Sequence, residues 1–86
     1  MNYLVHISHE ARKSLKKLDR TLSGRLVKRL EELAQDPLDQ RFSKQMETKK
    51  NQRYSQVGDW RIIYQIREAE KTLQIVAIRP RSRAYE

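Results

Sequence analysis

Five residues in the last third of the chain could act on a phosphodiester: Arg61, then Arg79, Arg81 and Arg83 at alternate positions, then Tyr85. Arginine forks bind phosphate oxygens in pairs and stay charged at every physiological pH. They can also stabilise the extra negative charge of a pentavalent phosphoryl transition state. RNA brings its own nucleophile, the 2′-hydroxyl. A protein then needs only to align that group, take its proton, neutralise the phosphate and protonate the leaving oxygen. A tyrosine among arginines has its pKa lowered by the nearby positive charge, which makes Tyr85 a candidate proton carrier. The same residues would equally make a surface that binds phosphate or an acidic partner without chemistry.

Other chemistries find little support. There is no cysteine, so no thiolate nucleophile and no disulfide framework. Two glycines cannot build a glycine-rich phosphate loop. His6 and His9 stand without the three or four converging ligands a metal needs, and no cofactor or metal is expected. The acids are scattered, and no Ser-His-Asp spacing stands out. The net charge of +8 on 86 residues instead points to polyanions: nucleic acid, the ribosome or an acidic protein. The length fits a single domain, residues 1–86, with a thin core that a protein partner would help to stabilise. No apolar run reaches the length of a membrane span or signal core, so the expectation is a cytoplasmic protein without membrane association.

The elements that must position these residues follow from periodicity. Asn2 to Ser8 alternates and predicts a half-buried strand. Ser8 offers an N-cap to a helix with Glu10 in its first turn and Ala11, Leu15 and Leu18 on one face. Asp19 can cap a second helix, whose stripe is Leu22, Leu26, Leu30 and Leu33, widened by Val27 and Ala34. Gly24 either weakens this helix or marks close packing of the two. Asp36-Pro37 ends it, and the helices are expected to form a hairpin with a basic outer side. Leu38 to Gln52 reads as a loop exposing Lys44, Lys49 and Lys50.

Arg53 to Val57 reads as a weak strand, and Gly58-Asp59 as a tight turn. The clearest strand is Trp60 to Arg67, with Trp60, Ile62, Tyr64 and Ile66 on one face and Arg61 and Ile63 on the other. After Glu68-Ala69-Glu70, a last strand runs from Thr72 to Arg79. It is expected to set Leu73, Ile75 and Ala77 against Gln74, Val76 and Ile78, and Pro80 to end it. The order β-α-α-β-β-β predicts an α+β domain, with a helical hairpin on a mainly antiparallel four-stranded sheet. Antiparallel pairing then brings Arg61 beside the Arg79-to-Tyr85 segment at one end of the sheet.

At this point the chain resembles the RelE/ParE toxin superfamily of bacterial and archaeal toxin-antitoxin pairs. The resemblance is carried by Glu31-Glu32-Leu33-Ala34-Gln35-Asp36-Pro37, by Val57-Gly58-Asp59-Trp60-Arg61-Ile62-Ile63-Tyr64, and by Arg79-Pro80-Arg81-Ser82-Arg83-Ala84-Tyr85. The last segment is similar to the RelE branch, archaeal forms especially. The resemblance implies the RelE-like microbial RNase fold and a ribosome-dependent mRNA interferase. Such an endoribonuclease cuts A-site mRNA by metal-independent 2′-hydroxyl attack and so inhibits translation. It implies a small, acidic, RelB-like antitoxin and a toxin-antitoxin hetero-oligomer.

By the same resemblance Arg61 matches the strand arginine of the catalytic set. Arg81 matches its C-terminal arginine, with Arg79 or Arg83 as register alternatives, and Tyr85 its tyrosine. Lys44, Lys49, Lys50, Arg53, Arg79 and Arg83 would bind RNA. The chain departs from the pattern at Tyr54 and Gln56, where the family carries two basic residues. A ParE-like toxin that inhibits DNA gyrase by binding, or a silent RNA- or partner-binding module, are the alternatives.

Overall fold

Two side-chain caps start the two helices. In the computed structural model, which describes residues 2–83 with the side chain of Arg83 left aside, Ser8 Oγ accepts from the Ala11 amide at 3.1 Å. Asp19 Oδ1 accepts from the Leu22 amide at 2.8 Å. Each cap satisfies an amide with no partner inside its helix, a contribution of about 1 kcal/mol. Helix α1 spans His9–Lys17 and α2 spans Arg20–Gln35. Glu10 near the start of α1 and Lys16 and Lys17 at its end complement the helix dipole.

The strands are β1 (Leu4–Ile7), β2 (Lys44–Gln45), β3 (Arg53–Val57), β4 (Trp60–Arg67) and β5 (Thr72–Pro80). They form one sheet in the order β1-β5-β4-β3-β2, with β1 parallel to β5 and the other pairs antiparallel. The sheet thus has five strands rather than the expected four. The extra one, β2, lies inside the expected loop and pairs Lys44 with Tyr54 and Gln45 with Arg53. Two residues carry no periodicity to read; buried Met46 anchors the segment instead.

The two helices cover one face of the sheet. There Leu26, Leu30 and Leu33 of α2 and Ala11 of α1 pack on Val57, Ile62, Tyr64, Leu73, Ile75 and Ile78. A relay of hydrogen bonds crosses this core. Arg53 Nε donates to Ser43 Oγ at 2.6 Å, Ser43 Oγ lies 2.5 Å from the Tyr64 hydroxyl, and that hydroxyl donates to the Pro37 carbonyl at 2.7 Å. The relay ties the exit of α2 to the middle of β4 and leaves these buried polar groups satisfied. Burial pushes the Tyr64 hydroxyl pKa up. The opposite face holds a smaller cluster, Met46, Ile63 and Ala77, with Tyr54 and Val76 against it.

Three expectations are corrected. Gly24 has nothing near the position of a Cβ, so it does not mark close packing. Strand β1 is more open than a half-buried strand, with Leu4 71% exposed, because it is an edge strand with a single strand neighbour. Strand β5 does not alternate evenly. Ile63 pairs with Ala77 but Tyr64 pairs with Ile75, so Val76 is an extra residue in a bulge. Past it, Ile78 joins the helix-side core and Ala77 the other face. Among the described residues no helix is long and apolar enough to cross a membrane.

Candidate functional site

The bulge decides where the arginines go. Even alternation from Leu73 and Ile75 would have aimed Arg79 at the helices. One extra residue reverses the phase, and Arg79 pairs with Arg61 on the face the helices leave open. Gln56 of β3 is paired with Arg61 from the other side. The end of β5 is then folded back on the β3–β4 turn: Trp60 pairs with Pro80, and the Arg81 amide donates to the Asp59 carbonyl at 2.7 Å. Gly58 makes that turn possible, at φ +59°, where a side chain would be strained. Residues Arg81–Arg83 form a single 3₁₀ turn.

A cleft of about 500 Å³ results, lined by Asp59, Arg61, Pro80, Arg81 and Ser82. Arg61 is 9% exposed, and its guanidinium lies 4.3 Å from the centre of the Tyr54 ring. Stacking of this kind holds a cation in a fixed orientation, with about 2 kcal/mol available when the pair is desolvated. Arg81, by contrast, is exposed. One arginine is set in the wall and the other stands at the mouth. Guanidinium forks of this kind are suited to the oxygens of a phosphate.

Arg79 belongs to the same row but is already engaged. Its Nε donates to Glu10 Oε2 at 2.7 Å and a terminal nitrogen to Glu10 Oε1 at 3.0 Å, a two-pronged ion pair. The guanidinium holds the Glu10 carboxyl below the usual range. Sequence reasoning missed Glu10, which is 69 residues away in the chain. The parallel pairing of β1 with β5 sets the first turn of α1 beside the end of β5. Only that pairing, had it been inferred, could have pointed to the contact.

The remaining candidates divide. Lys44 is exposed and pairs with Tyr54, on the open face and two strands out from Arg61. Lys49 and Lys50 are exposed in the segment between β2 and β3. Arg53 faces the helix side, bonded to Ser43, and does not join the cleft. The backbone of Arg83 ends the 3₁₀ turn, and Tyr85 lies outside the described residues. Tyr54, noted first as a departure from a basic pattern, is the aromatic partner of Arg61. Gln56 uses its amide nitrogen on the Gly58 carbonyl at 3.0 Å, buttressing the turn. Among the described residues no group of His, Asp and Glu converges as a metal site would.

The model of a family described as the ParE toxin of type II toxin-antitoxin system, parDE, matches residues 5–85. No curated protein matches the sequence. Among solved structures, the chain is similar to the toxin-antitoxin complex RelBE2 of Mycobacterium tuberculosis, with 24% identity and a TM-score of 0.82, covering 94% of this chain and 100% of that one. It is similar to the archaeal RelE-RelB complex of Pyrococcus horikoshii, with 26% identity and a TM-score of 0.81, over 98% and 100% of the two chains. The intact E. coli RelBE complex shares the fold at 18% identity and a TM-score of 0.79, over 91% and 95%.

Proposed function

This chain belongs to the ParE toxin family of type II toxin-antitoxin systems, and from that premise we propose that it is a ribosome-dependent endoribonuclease that cuts mRNA in the A site. The observation that carries the reading is a cleft lined by both Arg61 and Arg81. The scissile phosphate sits between the two guanidinium groups. The 2′-oxygen of the RNA forms the new bond to phosphorus as the bond from phosphorus to the 5′-oxygen breaks. Arg61, held by the Tyr54 ring, orients the phosphate. Arg81 neutralises the charge that develops on its oxygens. Tyr85 moves the proton, and the departing 5′-oxygen leaves protonated.

The antitoxin is a small acidic protein that neutralises this basic chain by wrapping it. An apolar groove of about 330 Å³ between β1 and α2, lined by Val5, Ile7, Val27, Leu30 and Ala34 among others, is the surface it covers. Val5 and Val27 are exposed there, at 37% and 45%. Similar chains, RelE of Pyrococcus horikoshii among them, were solved with RelB.

A second reading is inhibition of DNA gyrase by binding. It is favoured by the family description and by Tyr54 and Gln56, which leave one wall of the site without cations. Primer extension on cellular mRNA after induction separates the two. Cuts that vanish in Arg81→Ala support the nuclease. Intact mRNA together with loss of gyrase supercoiling by the purified protein establishes the second reading in its place.

A further inference from the structure

Arg25, Lys28, Arg29 and Glu32 occupy positions i, i+3, i+4 and i+7 of α2, one stripe of the helix. The stripe faces Gln56, Val57 and Gly58 across a second cleft of about 330 Å³. Arg29 builds its floor. One terminal nitrogen of Arg29 donates to Ser55 Oγ at 2.8 Å and to the Gln56 carbonyl at 2.9 Å, while Nε donates to Glu32 at 3.2 Å. The Arg29 guanidinium lies 4.1 Å from the centre of the Phe42 ring. It is fixed in place, and the Glu32 carboxylate answers its charge.

Arg25 and Lys28 are different. Both are exposed, and neither makes a hydrogen bond or ion pair among the described residues. The fold therefore holds two cations at the mouth of a cleft whose own acid is already engaged. The turn opposite them carries no side chain at Gly58; a Cβ there would meet the Arg25 guanidinium at 3.9 Å. The two clefts share this turn, since Gly58 lines the second and Asp59 the first. Among the described residues no aromatic lines the second cleft, so it suits a sugar-phosphate backbone rather than a stacked base.

We propose that Arg25 and Lys28 form a second phosphate subsite, which takes the RNA backbone adjoining the segment held by Arg61 and Arg81. The subsite rests on the RNA-cleaving reading given above. It extends the anionic track over the β3–β4 turn and adds affinity without sequence preference.

The test is binding of a fluorescein-labelled single-stranded RNA to the full chain, followed by anisotropy across a series of KCl concentrations. The double variant Arg25→Ala/Lys28→Ala is compared with Arg12→Ala/Lys13→Ala, an equal loss of charge from exposed residues of α1. Two lost phosphate contacts should flatten the slope of log K against log salt by about 1.4, at about 0.7 per contact for single strands. At low salt the affinity should fall at least about tenfold. Poly-U and poly-A should show the same loss, Arg25→Lys should keep the wild-type slope, and the α1 variant should stay near wild type. Equal losses in both double variants would reduce the effect to general charge and overturn the subsite. Intact RNA binding in Arg25→Ala/Lys28→Ala, with binding lost in Arg81→Ala, would overturn it while sparing the first cleft. Loss of antitoxin affinity alone would assign the stripe to the antitoxin instead. If wild type binds no RNA, the subsite is overturned, while the ribosome-dependent reading still stands or falls on primer extension with Arg81→Ala.

Discussion

The two faces of β4 are made by neighbouring residues and do opposite work. Ile62 and Tyr64 face the helices, where both are fully buried and the Tyr64 hydroxyl has its partners inside the protein. Arg61 and Ile63 face the other way, where Arg61 is held by a ring and borders an open cleft. On the first face, burial of apolar surface dominates, roughly 25 cal/mol for each Å² removed from water. On the second, a nearly buried charge is kept oriented in the wall of an open cleft. Adjacent residues of one strand, Arg61 and Ile62, therefore separate function from stability, and substitutions should separate in the same way.

The largest effect expected is on the helix side. Ile62→Ala leaves a cavity between sheet and helices and should destabilise the fold by about 2–5 kcal/mol, read as a shift in the urea midpoint. For a domain this small, that approaches its whole stability. A small shift would mean that the two faces differ less than their burial suggests. Next is Arg81→Ala, which should lower ribosome-dependent mRNA cleavage by about 10²–10³-fold, the range for removing one group that stabilises transition-state charge. The melting temperature should move by less than about 2 °C, because Arg81 is exposed. A variant that loses both activity and fold would erase the separation.

A smaller effect is expected from Tyr64→Phe, at about 1–3 kcal/mol, because Ser43 and Pro37 lose their buried partner. Its raised pKa also carries a sign. The folded state holds the phenolic proton more tightly than the unfolded chain, so this contribution is present below pH 10.0 and fades as pH rises beyond it. Alkaline unfolding should track tyrosinate absorbance in wild type and shift in the variant. Smallest is Glu10→Gln. The lowered Glu10 pKa gives stability that is present above about pH 4.5 and lost as pH falls through the lower folded value. The pair is partly exposed, so the loss near neutrality should stay below about 1 kcal/mol. RNA affinity should rise slightly as Arg79 is released; unchanged affinity would leave Arg79 a purely structural link between α1 and β5.

Much of this was legible in the sequence, where the signal is local. Ser8 and Asp19 announce their helices, the leucine stripe announces α2, and the alternation from Trp60 to Arg67 announces β4 with both its faces. The meeting of Arg61 with the exit of β5 followed from antiparallel order alone. What escaped was non-local or too short. Strand β2 has two residues and exists because β3 offers an edge. The contact of Glu10 with Arg79 requires the parallel pairing of β1, which no local pattern encodes. Tyr54 read as a missing charge because its relation to Arg61 runs across strands. The bulge at Val76 left no mark, since Val76, Ala77 and Ile78 are all apolar and any of them could have faced the core.

That bulge also gives β5 a reading frame. Removing Val76 would leave Ile75 and Ala77 adjacent in the existing register, with regular alternation and every downstream side chain on the side it occupies now. Closing the bulge with Val76 kept as a paired residue would instead reverse the side on which each later residue lands: Ile78 would turn to solvent, and the guanidinium of Arg79 would be driven toward Leu26 and Leu33, where an unanswered charge is not tolerated. The strand can thus accept loss of its one extra residue more readily than a shift of register that pairs it. An alignment of this chain that matches hydrophobic residues without allowing a one-residue gap here will set the wrong residues of its tail side by side.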